Sequence, residues 1–170
     1  MARLETLIPA ALTKSRNDFV AEQMGFHLLK PPTGEEIVAL DYETIQAASC
    51  EGLPPSHIVP SASAWQSTRI IKRPGNPYPD RISVGRALNC DIVLRFPVVS
   101  KLHAHFSRSP EGRLQLYDLG SANGTWHNGR RVDVGERIVL DARDQLSFGG
   151  VHCQVVDANG LYELVSGTRH

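Results

Sequence analysis

Short runs of β-branched and other apolar residues alternate with polar turn residues through the second half of the chain. The runs recur at intervals of about 8–12 residues, which is typical of an all-β sandwich or barrel. No apolar pattern of helical length interrupts them. The pattern predicts strands at residues 69–71, 81–85, 91–94, 104–108, 113–119, 125–127, 137–140, 145–149, 152–156 and 161–165.

The beginning of the chain has a helical pattern instead. Thr33 and Glu36 have the spacing of a capping box, which predicts a helix over 34–50. A second helix is predicted over about 10–24, with Pro9 in its first turn, where the missing N–H of proline is tolerated.

The pattern changes within residues 53–68, which are rich in Pro, Ser and Ala and are predicted to form a linker or an irregular connection. We therefore predict a mainly helical N-terminal extension of unknown function over 1–64 and a β domain over 65–166. The extension has a net charge of −4, and residues 81–156 have a net charge of +3. The extension is expected to pack on the β domain, because four apolar side chains need cover: Leu12, Phe19, Ile37 and Leu40.

Composition and charge argue against several classes of protein. No run of 18 apolar residues is present, and Glu5 and Pro9 interrupt the N-terminal apolar patch, so neither a membrane span nor a signal peptide is predicted. The 3 cysteines match no disulfide or zinc pattern, which favours a reducing cytoplasm. The basic part of the chain is too small for a nucleic-acid partner but suits a small anionic ligand.

Polar residues stand at several predicted strand ends, where a strand itself does not need them. They are Gly85 and Arg86 after "ISV", Ser100 with His103 three residues later, and the turn Asn123-Gly124-Thr125. Because a sandwich gathers loops at its ends, these groups are expected to meet and to form a recognition site.

The chain resembles the forkhead-associated domain family in the order and spacing of five motifs: "GR", "DIVL", "SKLHAHF", "LYDLGSANGTWHNG" and "DQLSFGG". The motifs run from about 82 to 150, and the flanking strands extend the resemblance to 65–166. The resemblance implies an eleven-strand β-sandwich that binds phosphothreonine in peptides, without catalytic activity, cofactor or metal.

The resemblance also implies roles for individual residues. Arg86 and Ser100 would contact the phosphate, Lys101 would assist them, and Asn123 would hold the backbone of the ligand peptide. The chemistry agrees, because an Arg side chain offers a fixed fork of donors and a Ser hydroxyl adds a donor that can rotate.

Three further residues match family positions that shape the binding loops: Gly85, His103 and Gly124. Gly124 is expected to turn with positive φ. The second Asn-Gly pair, Asn128-Gly129, predicts a two-residue type I′ hairpin.

Some of these residues also fit other chemistry. Ser100, His103 and Asp118 could form a hydrolase triad, although no nucleophile elbow is present. His103 and His105 could be metal ligands, but no third ligand is apparent. The pair Arg130-Arg131 is interpreted as a solvated hairpin that could also meet acidic ligand residues.

The chain departs from the family pattern at a few positions. Arg143-Asp144 stands where the family often has Gly-Asp, so this turn is expected to be built differently. Ala122 replaces a frequent Thr, which removes one auxiliary contact. Val98-Val99 precede Ser100 where some members have a basic residue that selects an acidic ligand residue. An acidic residue three positions after the phosphothreonine is therefore less expected, and the ligand sequence stays open.

Two functions follow as hypotheses. The first is a phosphothreonine-binding module in Ser/Thr-kinase signalling, whose partner is a threonine-phosphorylated protein. The alternative is a phospho-independent scaffold that makes its contacts through residues 1–64. Phosphorylated Thr33 of the chain's own extension is a further alternative ligand, although its capping-box role is favoured.

Overall fold

The structure is a computed structural model and describes residues 2–31 and 65–167. It contains two β-sheets that pack face to face and three helices that cover one sheet. The strands are β1 (Ala2–Arg3), β2 (Phe26–Lys30), β3 (Gln66–Arg69), β4 (Ile82–Gly85), β5 (Ile92–Val93), β6 (Ala104–Arg108), β7 (Leu114–Asp118), β8 (Thr125–His127), β9 (Arg130–Arg131), β10 (Ile138–Val139), β11 (Gln145–Phe148) and β12 (Val151–Asp157). The helices are α1 (Leu4–Thr13), α2 (Arg16–Glu22) and α3 (Ala158–Gly167).

The strands form one seven-stranded sheet and one five-stranded sheet. Their orders are β1-β3-β2-β12-β11-β8-β9 and β10-β7-β6-β4-β5. Paired strands are antiparallel except β4 and β5, which are parallel. The predicted β-sandwich is confirmed, and the eight predicted strands between 81 and 156 lie within one residue of the observed ones.

The core lies between the two sheets. Inward-facing residues of both sheets are fully buried, as alternation along each strand requires. Phe106 of β6 meets Phe148 of β11 edge to face, with 6.4 Å between the ring centroids. The other fully buried residues include Leu28, Ile70, Val84, Leu94, Leu114, Leu116 and Val155.

The helices cover the outer face of the seven-stranded sheet with a second apolar cluster. Phe19 of α2 is fully buried and contacts the Tyr162 ring of α3 edge to face, with 5.4 Å between the ring centroids. The cluster also contains Leu4, Ala11, Leu29, Val156, Leu161 and Val165. β2 is therefore buried on both faces, and β12 is buried on the helix-facing side at Val156. The expected packing of the extension holds for Phe19 but is wrong for Leu12, which is 54% exposed.

The single helix predicted over 10–24 is instead two helices, α1 and α2. Ser15 separates them, since its hydroxyl accepts a hydrogen bond from the Asp18 N–H at 3.2 Å and caps α2. Pro9 lies inside α1 and not in a first turn. The helix predicted over 34–50, together with Thr33, Ile37 and Leu40, lies outside the described residues.

The strand predicted at 161–165 is wrong, because these residues belong to α3. The Asp157 carboxylate accepts a hydrogen bond from the Gly160 N–H at 2.7 Å and begins the helix. Leu161 and Val165, four positions apart, then face the second apolar cluster.

β1 and β2 lie within residues 1–64, where the sequence predicts no strand. β2 pairs with β12 on one side and β3 on the other. The strand predicted at 69–71 is displaced, because β3 begins inside the predicted linker and ends at Arg69. The described part of 1–64 thus supplies two strands and two helices to the same structure as the β domain. The boundary at residue 65 stays a prediction. Among residues 2–31 and 65–167, no helix is long and apolar enough to cross a bilayer.

Candidate functional site

Loops from both sheets meet at one end of the sandwich and bring the predicted site residues together. The Arg86 N–H donates to the Ser100 carbonyl at 2.9 Å, and the Ala87 N–H donates to the Lys101 carbonyl at 3.1 Å. The Asn123 side-chain N–H donates to the Val98 carbonyl at 2.8 Å. Direct hydrogen bonds therefore link the segments that carry all four predicted ligand contacts.

Arg86 directly follows β4 and is exposed. Its Nε–H donates to the Val99 carbonyl at 3.1 Å, and this bond fixes the orientation of the guanidinium. Within the described residues the two terminal nitrogens make no hydrogen bond and no ion pair, so the outer edge of the fork can bind an anion.

The hydroxyl oxygen of Ser100 already accepts a hydrogen bond from the backbone. The Ala122 N–H donates to Ser100 Oγ at 3.0 Å, so the hydroxyl proton remains to be donated elsewhere. Although Ala122 has no side-chain hydroxyl, its backbone N–H takes part in the site through this bond.

His103 is fully buried and holds two loops together. Its Nδ1 accepts from the Ser100 N–H at 3.1 Å, which places the ring proton on Nε2, and Nε2 donates to the Gly124 carbonyl at 3.0 Å. Burial lowers the pKa of His103 below 6.5, against the raising effects of the Gly124 carbonyl and the Asp118 charge. His103 is therefore a neutral clamp between the Ser100 and Asn123 loops.

The glycines of the site are required for two different reasons. A Cβ at Gly85 would lie 2.3 Å from the Lys101 carbonyl oxygen, so only Gly lets the loop that carries Lys101 lie this close to the end of β4. Gly124 has φ +83° and fits the expected turn. Gly149 was not singled out from the sequence, yet a Cβ there would lie 2.4 Å from the Val98 carbonyl oxygen.

Asp118 organises the loop that carries Asn123, and sequence reasoning missed this role. Its Oδ1 accepts from the N–H groups of Gly120 and Ser121 at 2.8 and 3.0 Å. Its Oδ2 accepts from the hydroxyls of Ser121 and Thr125, both at 2.6 Å. Burial alone would raise the pKa of Asp118, but these hydrogen bonds outweigh it and hold the pKa below 3.8. The Asp-x-x-Ser spacing was the available signal.

The geometry argues against the hydrolase triad and the paired metal ligands. Both ring nitrogens of His103 are engaged by backbone groups, so the ring can neither deprotonate Ser100 nor bind a metal while the loops are intact. His105 stacks on Tyr117 with 4.8 Å between ring centroids. Within residues 2–31 and 65–167, no group of three or more His, Cys, Asp or Glu could hold a metal ion.

The remaining expectations concern turns. Asn128 and Gly129 have φ +48° and +82° and connect β8 to β9, which confirms the type I′ hairpin. Arg130 pairs with Glu136 at 2.8 Å, whereas the Arg131 guanidinium lies over the Trp126 ring at 5.6 Å. Arg143 has φ +76°, so the turn in which the family often has Gly keeps a left-handed backbone without it.

Comparisons with known proteins agree with the fold and the motifs. Residues 82–149 match the model of the FHA domain family. The FHA domain-containing protein PS1 of Arabidopsis thaliana is 35% identical over 69 residues, covering 39% of this chain and 5% of that protein. Kanadaptin of Homo sapiens is 34% identical over 76 residues, covering 39% of this chain and 10% of that protein. The solved structure of an engineered FHA with a Myc-pTBD peptide is 17% identical, with a TM-score of 0.50, and covers 83% of this chain and 97% of that chain.

Residues 82–149 therefore form a forkhead-associated domain, and domains of this class are protein-interaction modules. It spans only a small part of the two curated relatives.

Proposed function

We propose that this protein binds threonine-phosphorylated peptides at the loop end that holds Arg86, Ser100 and Asn123. It thereby connects a partner protein to Ser/Thr-kinase signalling, without catalysis and without a cofactor. Phosphothreonine carries close to two negative charges and three strong acceptor oxygens, so it needs convergent donors. The loop end offers such donors in an exposed position.

The observation that carries the proposal is the pre-organisation of Arg86 and Ser100. Each side chain is already fixed by one backbone group, through Arg86 Nε–H to the Val99 carbonyl and through the Ala122 N–H to Ser100 Oγ. In both cases the remaining donors are unused within the described residues. Fixing the side chains before binding lowers the entropy cost of holding the phosphate.

Asn123 and Lys101 complete the proposed site. One Asn123 side-chain N–H is engaged by Val98, so the second N–H and the carbonyl oxygen can pair with the backbone of an extended peptide. Lys101 is exposed and makes no ion pair with a described residue, which leaves its ammonium available to the phosphate.

The experiment is a screen of the full chain against a degenerate phosphothreonine peptide library, followed by calorimetry on the best sequence. We expect binding of the phosphothreonine peptide and none of the unphosphorylated peptide at the same concentrations. Equal binding of both forms, or no binding of either by the folded protein, would contradict the proposal. The second outcome would favour the phospho-independent scaffold.

A further inference from the structure

A pocket lies on the outer face of the five-stranded sheet, beside the loop end, and is called the side pocket below. It has a volume of about 430 Å³, which is in the range of pockets that hold small ligands or single side chains. Its floor includes Ser83 of β4 and His105 of β6, which lie opposite each other. Their neighbours Ile82 and Phe106 face the core, so by alternation Ser83 and His105 face outward.

The walls of the side pocket are apolar and accessible. Tyr78, Leu102 and Leu119 line it, and each of these residues is between 38% and 64% exposed. Apolar side chains that cluster on a surface are typical of a contact with another protein. None of the three takes part in the proposed phosphate site.

Polar side chains of the floor are already engaged within the protein. The Ser83 hydroxyl donates to the Asp91 carboxylate at 2.9 Å. The Cys90 thiol donates to the Lys101 carbonyl at 3.3 Å. The occupant of the side pocket therefore gains mainly from apolar contact, and not from new hydrogen bonds to these two groups.

The rim of the side pocket is cationic. Lys72, Arg81 and Lys101 line it, and none of the described lining residues is acidic. The Lys72 ammonium pairs with the buried Asp91 carboxylate at 3.2 Å, whereas Arg81 and Lys101 have no carboxylate partner among residues 2–31 and 65–167. The Arg81 guanidinium already lies over the Tyr78 ring at 5.8 Å. Apolar walls beside unpaired cations favour an aromatic occupant, because the negative face of its ring attracts a cation.

The side pocket adjoins the proposed phosphate site but is separate from the phosphate contacts. Ala87 and Lys101 line both the side pocket and the depression around Arg86, so a partner bound at the loop end lies directly beside the side pocket. Ser83 on the floor precedes Arg86 by three positions, or about 10 Å at roughly 3.3 Å per residue. A side chain on the floor is therefore a second contact and not part of the phosphate coordination.

We propose that the side pocket binds an aromatic side chain of the partner protein, so that the domain contacts its partner at two places. The inference goes beyond the proposed function, because the side pocket binds this side chain without a phosphate. Two linked contacts raise the overall affinity, since the second contact forms within a complex that already exists.

The test uses N-acetyl-tryptophanamide as the probe and heteronuclear NMR of the isotope-labelled full chain. We expect saturable shifts of the backbone amides of Ser83, Leu102, His105 and Leu119. N-acetyl-leucinamide should bind more weakly, because it has no ring for the cations of the rim. Arg81→Gln should weaken binding of the tryptophan probe by about two- to fivefold and leave the leucine probe nearly unaffected.

A pair of leucines with nearly equal exposure provides the matched control. Leu102→Ser should weaken binding of the tryptophan probe about fivefold, because it removes part of the apolar wall. Leu12→Ser should bind like the wild type, since Leu12 is 54% exposed on α1 and Leu102 is 52% exposed in the side pocket. Thermal melts verify that each variant is folded.

The inference is overturned if the probe causes no saturable shifts at the side pocket, if Leu12→Ser weakens binding as much as Leu102→Ser, or if Arg81→Gln affects both probes alike. Shifts of the same amides on dilution of the protein alone would identify a second copy of this chain as the occupant and would also overturn it. Arg86→Ala should leave the probe affinity unchanged, so a failure of the side pocket is distinguished from a failure of phosphothreonine binding.

Discussion

The carboxylate of Asp118 should be worth several kcal/mol to the folded state, and two substitutions separate its contributions. Asp118→Ala removes the acceptor of four hydrogen bonds. Asp118→Asn keeps the oxygen that corresponds to Oδ1 and its bonds from the Gly120 and Ser121 N–H groups. The new NH₂ group replaces Oδ2, which accepts from the hydroxyls of Ser121 and Thr125. These hydroxyls can rotate and accept from it.

The magnitudes follow from burial. Thr125 is fully buried, so its hydroxyl loses its partner in Asp118→Ala with no water to replace it, which costs about 1–3 kcal/mol. Each of the other three donors can turn partly to water and loses about 0.5–1.5 kcal/mol. We therefore expect Asp118→Ala to lower the free energy of unfolding by about 3–7 kcal/mol, and Asp118→Asn by about 1–2 kcal/mol.

Urea denaturation of the wild type and both variants measures these free energies of unfolding. A phosphopeptide titration on the variants that remain folded then tests whether the loop that carries Asn123 keeps its binding conformation. Since Asp118 shapes the turn that carries Asn123, binding should weaken in the same order as stability. A loss below about 1 kcal/mol in Asp118→Ala would refute the assignment of a central role. Equal losses in both variants would show that the retained Oδ1 bonds do not matter.

Three further predictions concern the ligand, the pH dependence and one turn. A phosphoserine peptide should bind several-fold more weakly than its phosphothreonine counterpart, because one buried methyl is worth about 1 kcal/mol; equal affinities in a matched pair would refute this. Since burial lowers the pKa of His103 below 6.5, the unfolded chain takes up a proton first as the pH falls. Stability should therefore be full above pH 6.5 and fall below it. His103→Gln should flatten, but not remove, the fall in melting temperature between pH 7.5 and 5.5, because burial also lowers the pKa values of His27 and His105; an unchanged slope would contradict this. Arg143→Gly should be more stable than Arg143→Ala by about 1 kcal/mol in urea denaturation, because only Gly adopts φ +76° without strain; an Ala variant of equal stability would argue against strain at this turn.

The sequence predicted the strands in which apolar and polar residues alternate, because this pattern is contained in the strand's own sequence. β6 alternates buried and less buried residues, and its predicted bounds match the observed ones. β2 could not be found in this way, because α2 and α3 cover the face that would otherwise be polar. Its buried run therefore depends on contacts that are distant in sequence. The strand predicted at 161–165 is instead part of α3, because the Asp157 cap and the burial of Leu161 in the second apolar cluster favour a helix.

In the site, too, the residues that belong to short sequence motifs were predicted, whereas contacts between segments far apart in the chain were not. Arg86, Ser100 and Asn123 were found from motifs, and the structure brings their segments together. The clamp role of His103 was also expected, and its two hydrogen bonds are observed. The commitment of Asn123 to the Val98 carbonyl and the steric need for Gly149 could not be predicted, because both depend on the approach of loops about 25 or more residues apart in the chain.

Arg86 provides the most direct test of phosphate recognition. One phosphothreonine peptide is titrated calorimetrically into the wild type, Arg86→Ala and Arg86→Lys, and thermal melts verify that each protein is folded. Arg113→Ala is the control for loss of one positive charge, because Arg113 pairs with Asp141 on the surface. Because Arg86 is exposed and its terminal nitrogens are unengaged, both Arg86 variants should stay folded. Arg86→Ala should weaken binding by about 2–4 kcal/mol, some tens to a thousandfold. Arg86→Lys should recover little of this, because an ammonium keeps the charge and loses the fork. A folded Arg86→Ala variant that binds the peptide as tightly as the wild type would contradict phosphate recognition by this site.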